Sequence, residues 1–174
     1  MKLTTLSKKT LEAFFENKKF IPNEKTKQEF SKPLACFVTL TKNKNLRGCI
    51  GSLKPTRPLY KDVIENTIHA AFHDPRFAPL TKKELKLIKI EISVLSSPKK
   101  LNFKTPEELL KKLNKNLGLI LKKGFYSATF LPQVWKEIPN KINFLEHLSL
   151  KAGLDKNAWK TSEIFYYTVD IEKE

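Results

Sequence analysis

Ile88, Ile90, Ile92 and Val94 alternate strictly with Lys89, Glu91 and Ser93, and few patterns leave a chain less choice. A period of two puts the four branched side chains on one face of an extended strand, and that face needs a second layer to cover it. The flanking sequence offers both strands and helices for the purpose. Residues 35–41 read as a strand, 42–45 as a turn, and 46–53 as another extended segment interrupted by Gly48 and Gly51. Ahead of this hairpin, Leu6, Leu11, Phe14 and Phe15 line one side of an amino-terminal helix. Behind it, Pro58 opens a helix toward Phe72 in which Val63, Thr67, Ala70 and Ala71 present small volumes to the sheet. Thr81 and Glu84 have the spacing of a capping box around a short helix.

The second half repeats the mixture. Thr105-Pro106-Glu107-Glu108 combines an N-cap, a helical proline and a reciprocal acid, with Leu109, Leu110 and Leu113 as the apolar face. Residues 117–121 and 125–131 read as a hairpin around Lys122-Lys123-Gly124. Asn143 with Glu146 reads as the cap of a helix carrying Phe144, Leu145 and Leu148, which Gly153 closes. Phe165, Tyr167 and Val169 alternate in one final strand. This order predicts an α+β fold: a compact, two-lobed domain with a mixed, largely antiparallel sheet and flanking helices. Residues 1–174 read as a single domain whose smaller lobe the sequence does not delimit, since no repeat or flexible linker divides it.

Composition narrows the function classes. The chain has 33 basic and 18 acidic side chains, hence a formal charge of +15, and only Arg47, Arg57 and Arg76 are arginines. Lysine surplus gives salt-sensitive attraction to polyanions, so RNA enters as a candidate partner without any recognisable RNA-binding motif. The planar, multidentate arginines are better suited to specific contacts. No apolar run is long enough for a membrane span and the amino terminus is too charged for a signal peptide, which makes the cytoplasm the expected location. Two cysteines cannot build a disulfide scaffold or a four-cysteine metal site. A dinucleotide fingerprint, a phosphate loop and a serine nucleophile elbow are all lacking.

The sharpest constellation is Leu46-Arg47-Gly48-Cys49-Ile50-Gly51. In an extended segment Arg47 and Cys49 project to the same face, so the guanidinium is placed to stabilise a thiolate or bind an anion beside it. Gly48 and Gly51 allow left-handed angles or close approach of a ligand, and equally a tight structural corner. Cys49 has two readings, a working nucleophile and a small buried hydrophobe, whereas Cys36 sits in the apolar run Cys36-Phe37-Val38 and reads as structural. His69 and His73 share a helical face. As a metal pair they are weak without a further ligand, and His73 oriented by Asp74 is a candidate for proton transfer. Arg76, beside Phe77, is placed either to grip an anion or to clamp two segments of the protein. Gln133 in Phe130-Leu131-Pro132-Gln133 could read a polar ligand or satisfy a turn. Lys151 could bind a ligand or complement a helix end. Trp159 and Tyr166 read as packing.

Taken in order, LRGCIGSL at 46–53, AAFHDPRFAPLT at 70–81, EISVLSSP at 91–98, GLIL at 118–121, FLPQVW at 130–135 and KAGL at 151–154 resemble the AMMECR domain family over residues 33–170. The resemblance implies an α+β fold with a larger and a smaller lobe and a cleft to which LRGCIG contributes. It implies Memo-like and radical S-adenosylmethionine proteins as partners, in the AmmeMemoRadiSam arrangement. Any radical cofactor would belong to a partner, because two cysteines do not make a three-cysteine iron–sulfur motif, and no cofactor or metal is assigned to this chain. Arg47, Gly48, Cys49, Gly51, Asp74, Arg76, Gln133 and Lys151 match the family's motif positions. Val134-Trp135-Lys136-Glu137 departs from the family's usual run, and His69 is not one of its defining residues.

Two functions are expected from this reading. One is an accessory enzyme or substrate-handling domain of a radical-linked modification pathway, with Cys49 attacking or shielding a substrate, Arg47 binding its anionic group, and Asp74 with Arg76 orienting it. The other is a noncatalytic module that binds RNA or a protein partner.

Overall fold

The computed structural model describes residues 1–174. Along the chain run α1 (Leu3–Phe15), α2 (Glu24–Glu29), β1 (Ala35–Lys42), β2 (Asn45–Gly51), α3 (Leu59–Phe72), β3 (Ile88–Leu95), β4 (Lys99–Lys100), α4 (Pro106–Lys112), β5 (Gly118–Lys123), β6 (Tyr126–Phe130), α5 (Val134–Glu137), α6 (Lys141–Lys151), β7 (Glu163–Tyr167) and β8 (Val169–Lys173), with single 3-10 turns at Glu84–Lys86 and Ala158–Thr161. The fold class is α+β, built on two four-stranded sheets in the orders β2-β1-β3-β8 and β4-β7-β5-β6. The chain divides into two compact units, Met1–Leu95 with Asp170–Glu174, and Ser96–Val169.

In the first unit β1 is central, antiparallel to β2 and to β3. Ile88, Ile90 and Ile92 are buried on one face of β3, and α1 and α3 cover that side with Leu6, Leu11, Val63, Ala70 and Ala71. Burial of each isoleucine, leucine or valine among them contributes about 1.5–3 kcal/mol and is the main support of the unit. The β1–β2 turn is two residues long, between the paired Lys42 and Asn45. Asn43 and Lys44 both take positive φ, 52° and 66°, as a type I′ turn requires. The register slips between Leu40 and Thr41, so that Gly48 faces Leu40, Leu46 faces Thr41, and Arg47 is left unopposed as a bulge.

In the second unit β5 is central, antiparallel to β6 and β7. Leu119, Leu121 and Ile164 from the sheet meet Leu109, Phe144, Leu145 and Leu148 from α4 and α6. The Trp135 ring stacks on Phe144 with centroids 3.5 Å apart, and its Nε1 donates to the Leu117 carbonyl at 2.9 Å, so Trp135 serves packing.

Three expectations about elements need correction. The cap of α6 is Asn140, whose side chain accepts from the amides of Ile142 and Asn143 at 2.9 and 3.1 Å, three residues ahead of the expected Asn143. The expected final strand is two strands, because the chain leaves the second sheet at Tyr167 and enters the first at Val169. Correspondingly there is not one sheet but two. At Thr105 the cap accepts from the Glu108 amide at 3.2 Å as expected, while the Glu108 carboxylate reaches back to the Lys104 amide at 2.7 Å. Helix α2, capped by Asn23, and the two-residue strand β4 were not anticipated.

Candidate functional site at Cys49

Strand β2 is an edge strand, and its outward-facing backbone groups need partners other than a further strand. Cys49 pairs with Thr39 in the register whose amide and carbonyl point away from β1. In such non-hydrogen-bonded pairs the side chains lie close together, and the Cys49 Sγ is 3.3 Å from the Thr39 hydroxyl. The outward backbone groups are taken up by the turn that follows α3. Cys49 N–H donates to Asp74 Oδ2 at 2.9 Å, and Arg76 Nη2 donates to the Cys49 carbonyl at 3.2 Å. Asp74 and Arg76 thus supply with side chains what a neighbouring strand would supply with backbone.

The local sequence explains the clamp. Proline following Asp74 stops α3 from continuing, and the Phe77 amide closes a four-residue turn on the Asp74 carbonyl at 3.1 Å. Asp74 Oδ1 accepts from the Arg76 amide at 3.1 Å and from Arg76 Nε at 2.9 Å, while Oδ2 takes Nη2 at 2.7 Å. The Leu80 amide then bonds to the Ala71 carbonyl at 2.8 Å and fixes the turn against the end of α3. The fork of Arg76 and the Cys49 and Arg76 amides hold the Asp74 carboxyl well below the usual carboxylate range. Arg76 is pushed up, chiefly by its hydrogen bonds to Asp74. The Asp74 side chain is 2% exposed but that of Arg76 is 54% exposed, its guanidinium 5.5 Å from the Phe77 ring centre. Cys49 is partly exposed. The outcome is a fixed backbone at a partly exposed cysteine, beside an arginine whose side chain is half open to solvent.

Arg47 belongs elsewhere. Its Nε and Nη2 grip the Glu84 carboxylate at 3.0 and 3.1 Å in a parallel fork, and Lys42 Nζ, Thr81 N and Thr81 Oγ1 add donors at 3.0 Å each. These contacts hold Glu84 far below the ordinary range, with Arg47 as the leading cause. The guanidinium that reaches Cys49 is therefore that of Arg76, and the expected Arg47–Cys49 pair is corrected. The bulge accounts for this, because it interrupts the strict alternation on which that pairing depended. Gly48 and Gly51 are also corrected: neither takes positive φ. A Cβ on Gly48 would collide with the Ala70 carbonyl of α3, and one on Gly51 with the Phe37 ring and the Cys36 carbonyl. Both glycines are needed for close packing of β2, against α3 at Gly48 and against β1 at Gly51.

His73 caps α3 at its C-terminus, is exposed, and lies edge-on to His69 with ring centres 5.5 Å apart. The Asp74 oxygens are committed to Arg76 and Cys49, so the expected Asp74–His73 orientation is not formed. Gln133 and Lys151 lie in the second unit. Gln133 is exposed at the start of α5 and its side chain makes no cap. Lys151 Nζ donates to the Thr129 carbonyl at 3.0 Å and sits 4.8 Å from the Phe130 ring centre, and burial lowers its pKa. Gly153, with φ 76°, closes α6 as expected.

The family model for AMMECR1 matches residues 4–172. The chain belongs to the AMMECR1 family. Among AMMECR1 relatives, Protein MK0488 of Methanopyrus kandleri is 37% identical over 175 residues, covering 98% of this chain and 84% of its own, and Protein NEQ441 of Nanoarchaeum equitans is 35% identical over 179 residues, covering 100% and 99%. The crystal structure of an uncharacterized protein, PH0010, from Pyrococcus horikoshii matches with a TM-score of 0.86 and 33% identity, over 99% of this chain and 89% of that one. No helix is long and apolar enough to cross a membrane.

Three residues of this AMMECR1 chain escaped notice from sequence. Glu84 was legible as a cap and not as the partner of Arg47. Thr39 is one of several polar residues on β1. Asp62 is buried in the first turn of α3, where it accepts from Cys36 N at 2.9 Å, Asn66 Nδ2 at 3.0 Å and the Ser52 hydroxyl and pairs with Arg57 Nε at 3.1 Å. An acid in a helix's first turn signals the dipole and nothing more.

Proposed function

We propose that the protein is a substrate-handling domain of a covalent-modification pathway, which presents the Cys49 thiol beside the Arg76 guanidinium to a substrate carrying an anionic group. The clamp of Asp74 and Arg76 on both backbone groups of Cys49 carries this reading. It fixes the backbone that carries the thiol while more than half of the Arg76 side chain remains accessible. Arginine is suited to carboxylate or phosphate recognition, and a fixed cation beside a thiol favours an anionic reactant. The resemblance to AmmeMemoRadiSam components supports a Memo-like or radical S-adenosylmethionine protein as the pathway partner, which would bring the radical chemistry, and a cytoplasmic setting.

The test compares alkylation of Cys49 by anionic iodoacetate and neutral iodoacetamide, followed by intact mass, with a short unstructured cysteine peptide as reference. In each reaction the thiolate sulfur displaces iodide. The folded protein should favour iodoacetate, relative to the peptide, by about fivefold at low salt, the size of one water-screened charge contact. Arg76→Gln should remove that preference, and so should about 0.5 M salt. A peptide-like ratio in the folded protein, or no labelling before unfolding, would refute the proposal.

A further inference from the structure

Helix α3 has two apolar faces. Val63, Thr67, Ala70 and Ala71 are buried in the first unit, whereas Tyr60, Ile64 and Ile68 recur every four residues on another face. The segment after α1 crosses this second stripe incompletely. It leaves a cavity of about 600 Å³ lined by Phe20, Ile21, Tyr60, Ile64 and Ile68 among others. A second cavity of about 440 Å³ shares Phe20, Ile64 and Ile68 with it and adds Phe14. The two form an apolar trough along the helix. Ile21 is 69% and Phe14 43% exposed, so apolar groups remain in contact with water at its mouth.

The charged lining is mainly cationic, with Lys18, Lys19, Lys27 and Lys61 against Glu65. Of its charged residues, Lys27 is engaged by Glu24 at 2.6 Å and Lys18 by Glu16 at 2.9 Å, while Glu65 contacts Arg57, which also pairs with Asp62. That leaves Lys19 and Lys61 as the lysines of the lining without an acidic partner. A volume of this size is that of a small-molecule site rather than a protein interface. An apolar trough with cations at its rim complements a ligand with an extended hydrocarbon body and one anionic end. A neutral chain would leave the lysines unused, and a short anion would leave the trough wet.

We infer that this trough binds the carboxylate of an unbranched acyl chain, its hydrocarbon along Ile64 and Ile68 and its head group between Lys19 and Lys61. The test titrates the full-length protein with sodium decanoate, below its aggregation concentration, by calorimetry and by amide chemical shifts. Acetate and decyl maltoside serve as the chainless anion and the neutral chain. Saturable binding of one decanoate is expected, with shifts centred on residues 18–22 and 60–69, and neither comparison compound should compete. A double variant, Lys19→Glu with Lys61→Glu, should weaken binding at least about fivefold while leaving the melting curve within a few degrees, since both side chains lie at the surface. Ile21→Asp, at an exposed position, should weaken it through the apolar end. Decyl maltoside binding equally well, shifts scattered over lysines elsewhere, or unchanged affinity in both variants would each overturn the inference.

Discussion

Cys36 and Cys49 occupy neighbouring strands and differ in burial. Cys36 is fully buried, and desolvation, reinforced by the charge of Asp62, pushes its thiol far up. Cys49 is partly exposed at an edge. Native protein should therefore release one equivalent in a thiol assay and two only after denaturation, and Cys49→Ser should abolish the native signal. Gly48 makes a second prediction at this scale. Its missing Cβ lets β2 lie against the Ala70 carbonyl, so Gly48→Ala should cost roughly 3 kcal/mol or more in urea unfolding, because helix backbone must move to admit it. A change below about 1 kcal/mol would mean that α3 and β2 are not in this contact. The legibility of residues divided along the same line. Cys49, Asp74 and Arg76 could be singled out by residue type, but the partnership of Arg47 with Glu84 joins positions 37 apart through a bulge, and no local pattern records it.

Local pattern carried furthest at the scale of elements. Helices α1 and α3, strands β1 and β3 and both hairpins lie where apolar period and turn residues put them, because for these elements burial and local preference agree. Agreement failed at α6, where Asn140 and Asn143 are equally good caps on paper. Glu146 completes a box with the wrong one, and Asn140, just after Pro139, collects both amides instead. It failed again at Thr168, since alternation continues unbroken through a residue where the chain changes sheets. Asn140→Ala should accordingly cost about 1 kcal/mol and Asn143→Ala much less. In the β1–β2 turn Lys44 bears a left-handed conformation at φ 66°, so Lys44→Gly should stabilise the protein by about 1 kcal/mol. An unchanged midpoint would indicate a turn of another type.

For the molecule as a whole, the charge of +15 predicts salt-sensitive attraction to polyanions, yet the first unit also holds acidic side chains gripped by arginines, Asp74 by Arg76 and Glu84 by Arg47. Asp74 and Glu84 both sit below their ordinary range when folded. The unfolded chain consequently binds these protons more readily. The stability they contribute is complete above about pH 5 and is lost progressively as the pH falls below the ordinary carboxylate values near 4. Urea midpoints measured at pH 6 and pH 3 should fall less for Asp74→Asn with Glu84→Gln than for the wild type, although the variant starts lower. Parallel losses would assign acid sensitivity to other carboxylates. The clamp on Cys49 is tested most directly by hydrogen exchange at the Cys49 amide, resolved by NMR in the wild type and in Asp74→Asn. An amide on the open side of an edge strand exchanges readily unless something accepts from it. Slow exchange in the wild type, accelerated about tenfold or more in Asp74→Asn, is the expected result, and free exchange in both would contradict the account.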